Sequence, residues 1–335
     1  MRGSWRREIS LLTVKEIFDL VRDDLSRVEE ELAQQTGLAS EPVAEIAGYL
    51  LGGGGKRLRP ALLLLSAGYA GYHGAAAVRL GAVVELIHSA TLIHDDVIDG
   101  ADTRRGRPSA NSRWGNHRSV LAGDWLYMQS FQMALEERNF RVLDILIDLT
   151  QNMVEGELLQ LSSLGRMDLG EQDVLDLAAR KTACLFSGCA RLGGVIGGLS
   201  DADEQSLADY GRYAGLAFQL VDDLLDFTAS PLQLGKPVLS DLKEGKVTLP
   251  LIYALEGDGG AGRRMVRTVL EEKGFHSVRP EEISSLVRNS DALERTRVLA
   301  HDYASRAKAC LNGGAASEFG RALYAVPDFI LDREH

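Results

Sequence analysis

"LIHDDVIDGADTRRG", Leu92 to Gly106, sets four aspartates beside a histidine and two arginines. Asp95, Asp96 and Asp99 fall within five positions. Carboxylates packed this closely repel one another and resist ionising together, and folding alone does not call for them. The residues leading into them, from Ala75, are apolar on most sides and lack strand alternation, so they predict a buried helix running to Asp99. On that helix Asp95 and Asp99 share a face, and Asp96 lies about 100° round. Negative charge at a helix C-terminus also opposes the macrodipole. A divalent cation would offset both penalties.

The signature recurs in "FQLVDDLLDF", Phe218 to Phe227. Asp222 and Asp226 are expected to point together, with Asp223 to the side. A single acidic triplet reads more readily as a solvated helix end or an incidental pair. Two copies, each in an apolar frame, argue for carboxylates projecting from buried helices into a cavity. Oxygen-only ligands suit Mg²⁺, which keeps several waters and shares its site with substrate phosphates.

The rest of the chain is helical by period. Val14, Ile17, Phe18, Val21, Leu25, Val28 and Leu32 predict one first helix. Further helices are expected over 41–51, 60–71, 117–137, 140–164, 171–189, 190–198, 203–228 and 247–256, with two or three more in 260–334. No linker or composition shift divides the 335 residues, so an all-α, single-domain bundle over 1–335 is expected, with 1–12 as a disordered basic N-terminus. The net charge of −11 disfavours nucleic acid. The three cysteines, Cys184, Cys189 and Cys310, show no metal-ligand spacing, and an odd number suits reduced thiols in the cytoplasm. No signal peptide is read in "MRGSWRREISLL", and no apolar run reaches membrane-spanning length.

Against the acidic background stand dense basic clusters. "GGGGKRLRP" places Lys56, Arg57 and Arg59 after glycines that permit close backbone approach to an anion. It is no Walker motif, since no Gly-Lys-Ser/Thr closes it. "DTRRGRP" ties Arg104 and Arg105 to the first acidic triplet, "RKTA" holds Lys181 and Thr182, and "LGKPVLSDLKEGKVTLP" holds Lys236 and Lys246. His88 lies two turns before Asp95 and shares roughly one face with it, although a lone histidine on an apolar helix is more often a core residue.

Both acidic motifs, the glycine-basic motif and the "GKP" to "TLP" segment, in this order, resemble the trans-isoprenyl diphosphate synthases, most closely the long-chain polyprenyl branch, over roughly residues 40–330. The resemblance implies about ten core helices around a deep central cavity, a homodimer, and about three Mg²⁺ per site, with Mn²⁺ as a substitute. Asp95 and Asp99 would hold two ions and Asp222 a third, with Asp96, Asp223 and Asp226 in support. Arg104, Lys181 and Lys246 would contact the allylic diphosphate (farnesyl or geranylgeranyl diphosphate), with Lys236 near the third metal. Lys56, Arg59, His88 and Arg105 would bind isopentenyl diphosphate, and Thr182 and Gln219 would line the carbocation. Arg57 has no assigned role.

The implied chemistry suits the residues. Breaking an allylic C–O bond leaves a cation and a diphosphate; metal ions stabilise the leaving group, and an apolar cavity keeps water from quenching the cation. No Ser-His-Asp or Cys-His constellation is needed. A terpene cyclase would carry an Asn/Ser/Glu metal motif at 218–228, a non-catalytic subunit would have lost motif residues, and a calcium-binding helical protein would place more oxygens on a flexible loop. A shorter-chain farnesyl or geranylgeranyl synthase remains the alternative within the family.

Product length is expected from the helix ending at Asp99. Each turn advances about 5.4 Å. Ala90 and Thr91, one turn before Asp95, are small where short-chain relatives typically carry an aromatic. Below them come Ile87, Val84 and Val83. The stop is expected on the following helix, at Met128, Phe131 or Met133. An all-trans polyprenyl diphosphate longer than about twenty carbons, about thirty to fifty, of the type used as a quinone side chain, is expected from this depth, with delivery to a membrane and peripheral association for release.

Overall fold

A computed structural model describes residues 12–104, 106–229, 238–311 and 317–334. The predicted sites Arg105 and Lys236, and nearly all of the predicted N-terminal tail, lie outside these residues.

The N-terminal helix expected from Val14 to Leu32 is two helices, α1 (Val14–Asp19) and α2 (Arg22–Gly37). Thr13 opens α1 with a capping box, accepting from the Glu16 amide while the Glu16 carboxylate accepts from the Thr13 amide. At the break, Val21 leaves the helical backbone (φ −121°, ψ 14°) and is 2% exposed. Burial of this β-branched residue outweighs its weak helical preference. Next come α3 (Glu41–Leu51), α4 (Leu58–Tyr69) and α5 (Ala75–Ile98).

Strand structure, not expected, appears as a two-residue antiparallel ribbon, β1 (Thr103–Arg104) with β2 (Arg107–Pro108). Then follow α6 (Ala110–Trp114), α7 (Asn116–Glu136), α8 (Phe140–Ser163) and α9 (Glu171–Ala178). The break expected at 189–190 is absent. Instead α9 passes through a π turn, Ala179–Ala183, into α10 (Cys184–Ile196). The longest helix, α11 (Asp201–Thr228), is capped by Ser200. After it come α12 (Ser240–Lys243), α13 (Leu249–Glu256), α14 (Ala261–Glu272), α15 (Pro280–Arg288), α16 (Ala292–Ala309), α17 (Glu318–Leu331) and a 3-10 turn, Asp332–Glu334.

The all-α architecture stands: α5 packs on α7, α4 and α2, while α10 lies between α4 and α11, and α11 also carries α16. One continuous apolar core links these helices, with a small satellite of Ala178, Ala183 and Leu216. Helix α5 is the one helix among the described residues long and apolar enough to span a membrane, but most of it is buried in this core. Its burial on nearly every side follows from an apolar surface without a polar face. Thus α5 and α11, which carry the acidic triplets, are both central.

Candidate active site

The six motif aspartates divide by exposure. Asp96, Asp223 and Asp226 are 1%, 4% and 1% exposed. The side chains of Asp95 and Asp99 are each 22% exposed and that of Asp222 39%. Asp95 and Asp99 lie one turn apart and near enough for the Asp99 charge to act on Asp95, and each meets a lysine from another element. Lys181 Nζ lies 3.9 Å from Asp95 Oδ2, and Lys246 Nζ lies 3.1 Å from Asp99 Oδ2. Lys181 is held from its other side by Glu157 of α8, and Lys246 by Glu244 at 2.7 Å.

The expectation that Asp222 and Asp226 point together fails. Asp226 Oδ1 accepts from the Ser240 amide (3.2 Å) and hydroxyl (3.1 Å), and its carbonyl from the Leu239 amide. These bonds turn Asp226 inward to anchor the chain entering α12. Asp222 faces outward and pairs with Arg333 Nη2 at 3.0 Å, the guanidinium standing 4.2 Å from the Phe218 ring. Asp96 is gripped by Arg104, whose Nε donates to both carboxylate oxygens at 2.8 Å. Asp223 accepts from Gln219 Nε2 (2.9 Å), and Gln219 Oε1 accepts from Thr182 (2.7 Å), so α11 and the π turn share one hydrogen-bonded chain. π turns recur at functional sites because the extra residue redirects side chains. Here that turn carries Lys181 and Thr182.

Charge crowding shows in the ionisation. Burial, with Glu157 and Asp99, pushes the Asp95 carboxyl up to about 6 against the pull of Lys181 and Arg104. Burial, then Asp241, Asp222 and Asp226, raises Asp223 well above the carboxylate range. Burial alone would lower the Lys246 ammonium, but Glu244, Asp99 and Asp241 outweigh it and hold it above its ordinary value. Asp95, Asp99 and Asp222 thus each stand against a protein cation, as a divalent ion would find them. Among the described residues no group of three or more His, Cys, Asp or Glu side chains is gathered for a metal. An ion would take carboxylates from each helix and complete its shell with phosphate oxygens and water, which is the habit of Mg²⁺.

On the basic side, Arg59 Nη1 lies 3.0 Å from His88 Nε2 and its guanidinium 5.3 Å from the Phe186 ring; it is within the field of Asp222. Lys56 Nζ stands 5.6 Å from the Phe329 ring. Down α5, Ala90, Ile87, Val84 and Val83 are fully buried, and the half-buried Thr91 donates to the His88 carbonyl. On α7, Met133 is 1% exposed and Phe131 half-buried. Met128 is 65% exposed, so it faces away from the core and cannot close a cavity within this chain.

The sequence reading missed Glu157, Arg333 and the partners of Arg57. Glu157 carried a usable signal. Met153, Gly156, Glu157 and Gln160 occupy i, i+3, i+4 and i+7, the inward stripe of α8, where an acid is out of place. Arg333 belongs to no motif and reaches Asp222 only through the path of α17.

Residues 40–286 match the family model "Polyprenyl synthetase". The octaprenyl diphosphate synthase of Escherichia coli (strain K12) is 37% identical over 324 residues, covering 96% of this chain and all of that protein. The crystal structure of a polyprenyl synthase from Caulobacter crescentus CB15, complexed with calcium and isoprenyl diphosphate, superposes with a TM-score of 0.92 at 34% identity, covering 97% of this chain and 99% of that one. A decaprenyl diphosphate synthase from Rhodobacter capsulatus gives 0.89 at 36% identity, covering 96% and 99%. The chain therefore belongs to the polyprenyl synthetase family and is a prenyltransferase.

Proposed function

We propose that the chain, as one isoprenoid synthase domain, condenses isopentenyl diphosphate with farnesyl or geranylgeranyl diphosphate at a Mg²⁺ site formed by Asp95, Asp99 and Asp222. The carrying observation is the division of the six aspartates: the three partly exposed acids face cations, while the three buried acids are held by Arg104, Gln219 and Ser240. When bound, the ions stabilise negative charge on the leaving diphosphate. Lys181 and Lys246 bind the same diphosphate, and Arg104 fixes Asp96 beneath it; Lys236, outside the described residues, is assigned to the third ion by its motif alone. Lys56, Arg59, His88 and Arg105 hold isopentenyl diphosphate. Thr182 and Gln219, hydrogen-bonded to each other, line the allylic cation, and the apolar walls exclude water. The diphosphate released takes the proton lost at condensation.

Ala90, Ile87 and Val84, fully buried and none of them aromatic, are proposed as the wall of the tail's path along α5, with Phe131 or Met133 as the stop at about thirty to fifty carbons, at least two helical turns deeper. On α7, Leu121, Met128 and Leu135 recur every seventh residue on the outer face and are exposed, as are Ile147, Val154 and Leu158 on α8. This apolar stripe supports a homodimer. Unpaired cysteines support a cytoplasmic location, with the product passed to a membrane.

Incubation with isopentenyl diphosphate, each allylic primer and Mg²⁺, followed by separation of products by length, tests the reading. The expected product is an all-trans chain longer than about twenty carbons, lost in excess chelator. Full turnover in chelator refutes the metal site, and a product that stops at farnesyl length refutes the cavity argument.

A further inference from the structure

We propose that Arg57 is a positioning residue for isopentenyl diphosphate: its guanidinium, clamped by Glu85 and Glu29, fixes the turn from which Lys56 and Arg59 reach the substrate. This rests on the reading of Lys56 and Arg59 as diphosphate ligands.

Arg57 lies between those two cations in sequence, yet its side chain is 11% exposed and engaged through all three guanidinium nitrogens. Nε and Nη2 meet Glu29 of α2, Nη1 donates to Glu85 of α5 at 2.5 Å, and Nη2 donates to the Leu51 carbonyl at 2.9 Å. Leu51 ends α3, and Arg57 precedes α4. The bond between them therefore closes the glycine run 52–55 across its base. Without that closure the run would be loose, since glycine loses more backbone freedom on ordering than any other residue.

Arg57 also holds a left-handed backbone, φ 46° and ψ 37°. For a residue with a β-carbon this costs about 1–2 kcal/mol, and glycine is the usual occupant. An arginine here pays the strain for its side chain. Bulk stability is a weak reason, because a buried ion pair seldom outperforms an apolar pair of the same volume. Position is a better one. Glu85 and His88 stand three residues apart on α5, so one helix holds Arg57 and Arg59 at once, at 2.5 and 3.0 Å. The same helix carries Asp95 and Asp99 roughly 15 Å further on. Arg57, Glu85 and Ser89 further line a cavity of about 50 Å³ with Asp96 and Arg104. Both basic loops are thus pinned to one side of α5, each by an arginine on a buried acid, and the distance between the substrate cradles is set by a rigid helix.

Steady-state kinetics with both substrates varied test the inference. Arg57→Gly keeps the left-handed turn without strain and removes the clamp, at the cost of added backbone freedom and an unpaired Glu85. It should raise the apparent KM for isopentenyl diphosphate about tenfold or more, leaving kcat and the allylic KM within about twofold. Arg57→Lys should recover part of the loss. The double variant Arg57→Gly/Glu85→Gln should be no worse than the poorer single one, as expected for partners in one interaction. If Arg57→Gly does not fold, Glu29→Gln, at the more exposed partner, should give a smaller rise in the same KM. Equal changes in both KM values, a fall in kcat at unchanged KM, or additive effects in the double variant overturn the inference. So does a silent Arg57→Gly beside an impaired Lys56→Ala. A Lys56→Ala variant with unchanged KM instead removes the cradle reading itself.

Discussion

The π turn that carries Lys181 is clasped by two glycines, and filling one of them should impair turnover more than folding. A β-carbon on Gly156 of α8 would lie 2.9 Å from the Lys181 amide nitrogen, 3.0 Å from Arg180 Cβ and 3.1 Å from the Arg180 carbonyl carbon. Ordinary contact is about 3.5–4.0 Å, so the turn would have to withdraw by roughly half an ångström. It has little room to do so. From the far side, Gly215 of α11 packs so closely that its own β-carbon would lie 2.6 Å from Ala183 Cα. The ion pair between Arg180 and Glu155, 2.9 Å, also ties the turn to α8. Gly156→Ala should therefore cost about 1–3 kcal/mol of stability by overpacking. The displacement reaches Lys181 and, through Thr182, Gln219 and Asp223. A misplacement near 1 Å costs on the order of a hundredfold in rate, so half of that predicts about a tenfold fall in kcat. The assay pairs kcat with a thermal melt and uses Gly48→Ala as control. A β-carbon at Gly48 meets nothing within 4 Å, so that variant should match or exceed the parent in stability. Parental kcat in Gly156→Ala, or an equal loss in Gly48→Ala, would refute the reasoning.

Other outcomes follow from the same contacts. Moving the Asp95 carboxyl from 3.8 to about 6 burdens the folded, metal-free protein by roughly 3 kcal/mol once it ionises. The burden is absent below about pH 4, grows up to about pH 6 and is full above it. Asp95→Asn should accordingly stabilise the metal-free protein at neutral pH, have no such effect near pH 4, and abolish turnover; denaturant midpoints at the two pH values check this, and a pH-independent difference would count against it. Ala90→Phe, at a fully buried position on α5, should shorten the product to about fifteen or twenty carbons with the first condensation intact, read by chromatography of products. Arg333→Ala releases Asp222 from its 3.0 Å pair, so half-maximal rate should be reached at a lower Mg²⁺ concentration. A higher requirement would mean that Arg333 assists the site.

What could be read from the sequence, and what could not, follows from the range of the forces involved. Helix period is local, so α3, α5 and α11 emerge close to their expected bounds. The break at Val21 and the π turn at Ala179–Ala183 come from packing against remote helices, which no window of sequence contains. Residue type marked all six aspartates, yet only tertiary structure divides them. Asp222 and Asp226 are one helical turn apart, and the difference between them is Ser240, on an element beyond the end of α11.

The register of α7 was open to a closer local reading, and it bears on product length. Leu126, Ser130 and Met133 lie at i, i+4 and i+7 and are buried; Leu121, Met128 and Leu135 lie on a separate stripe and are exposed. The serine at 130 disguises the inward stripe as a mixed one. With that register, a floor supplied by this helix within one chain rests on Met133, buried at 1%, or on the half-buried Phe131, and never on Met128. Met133 lies seven residues beyond Leu126, about 10 Å along the helix. Methionine is unbranched and adaptable, so it makes a yielding stop, whereas the Phe131 ring makes a rigid one. A yielding floor predicts a spread of product lengths and a rigid floor a single one. Met133→Phe should therefore narrow and shorten the distribution if Met133 is the stop, while Phe131→Ala should lengthen it if the ring is; a distribution indifferent to both would place the floor on another helix.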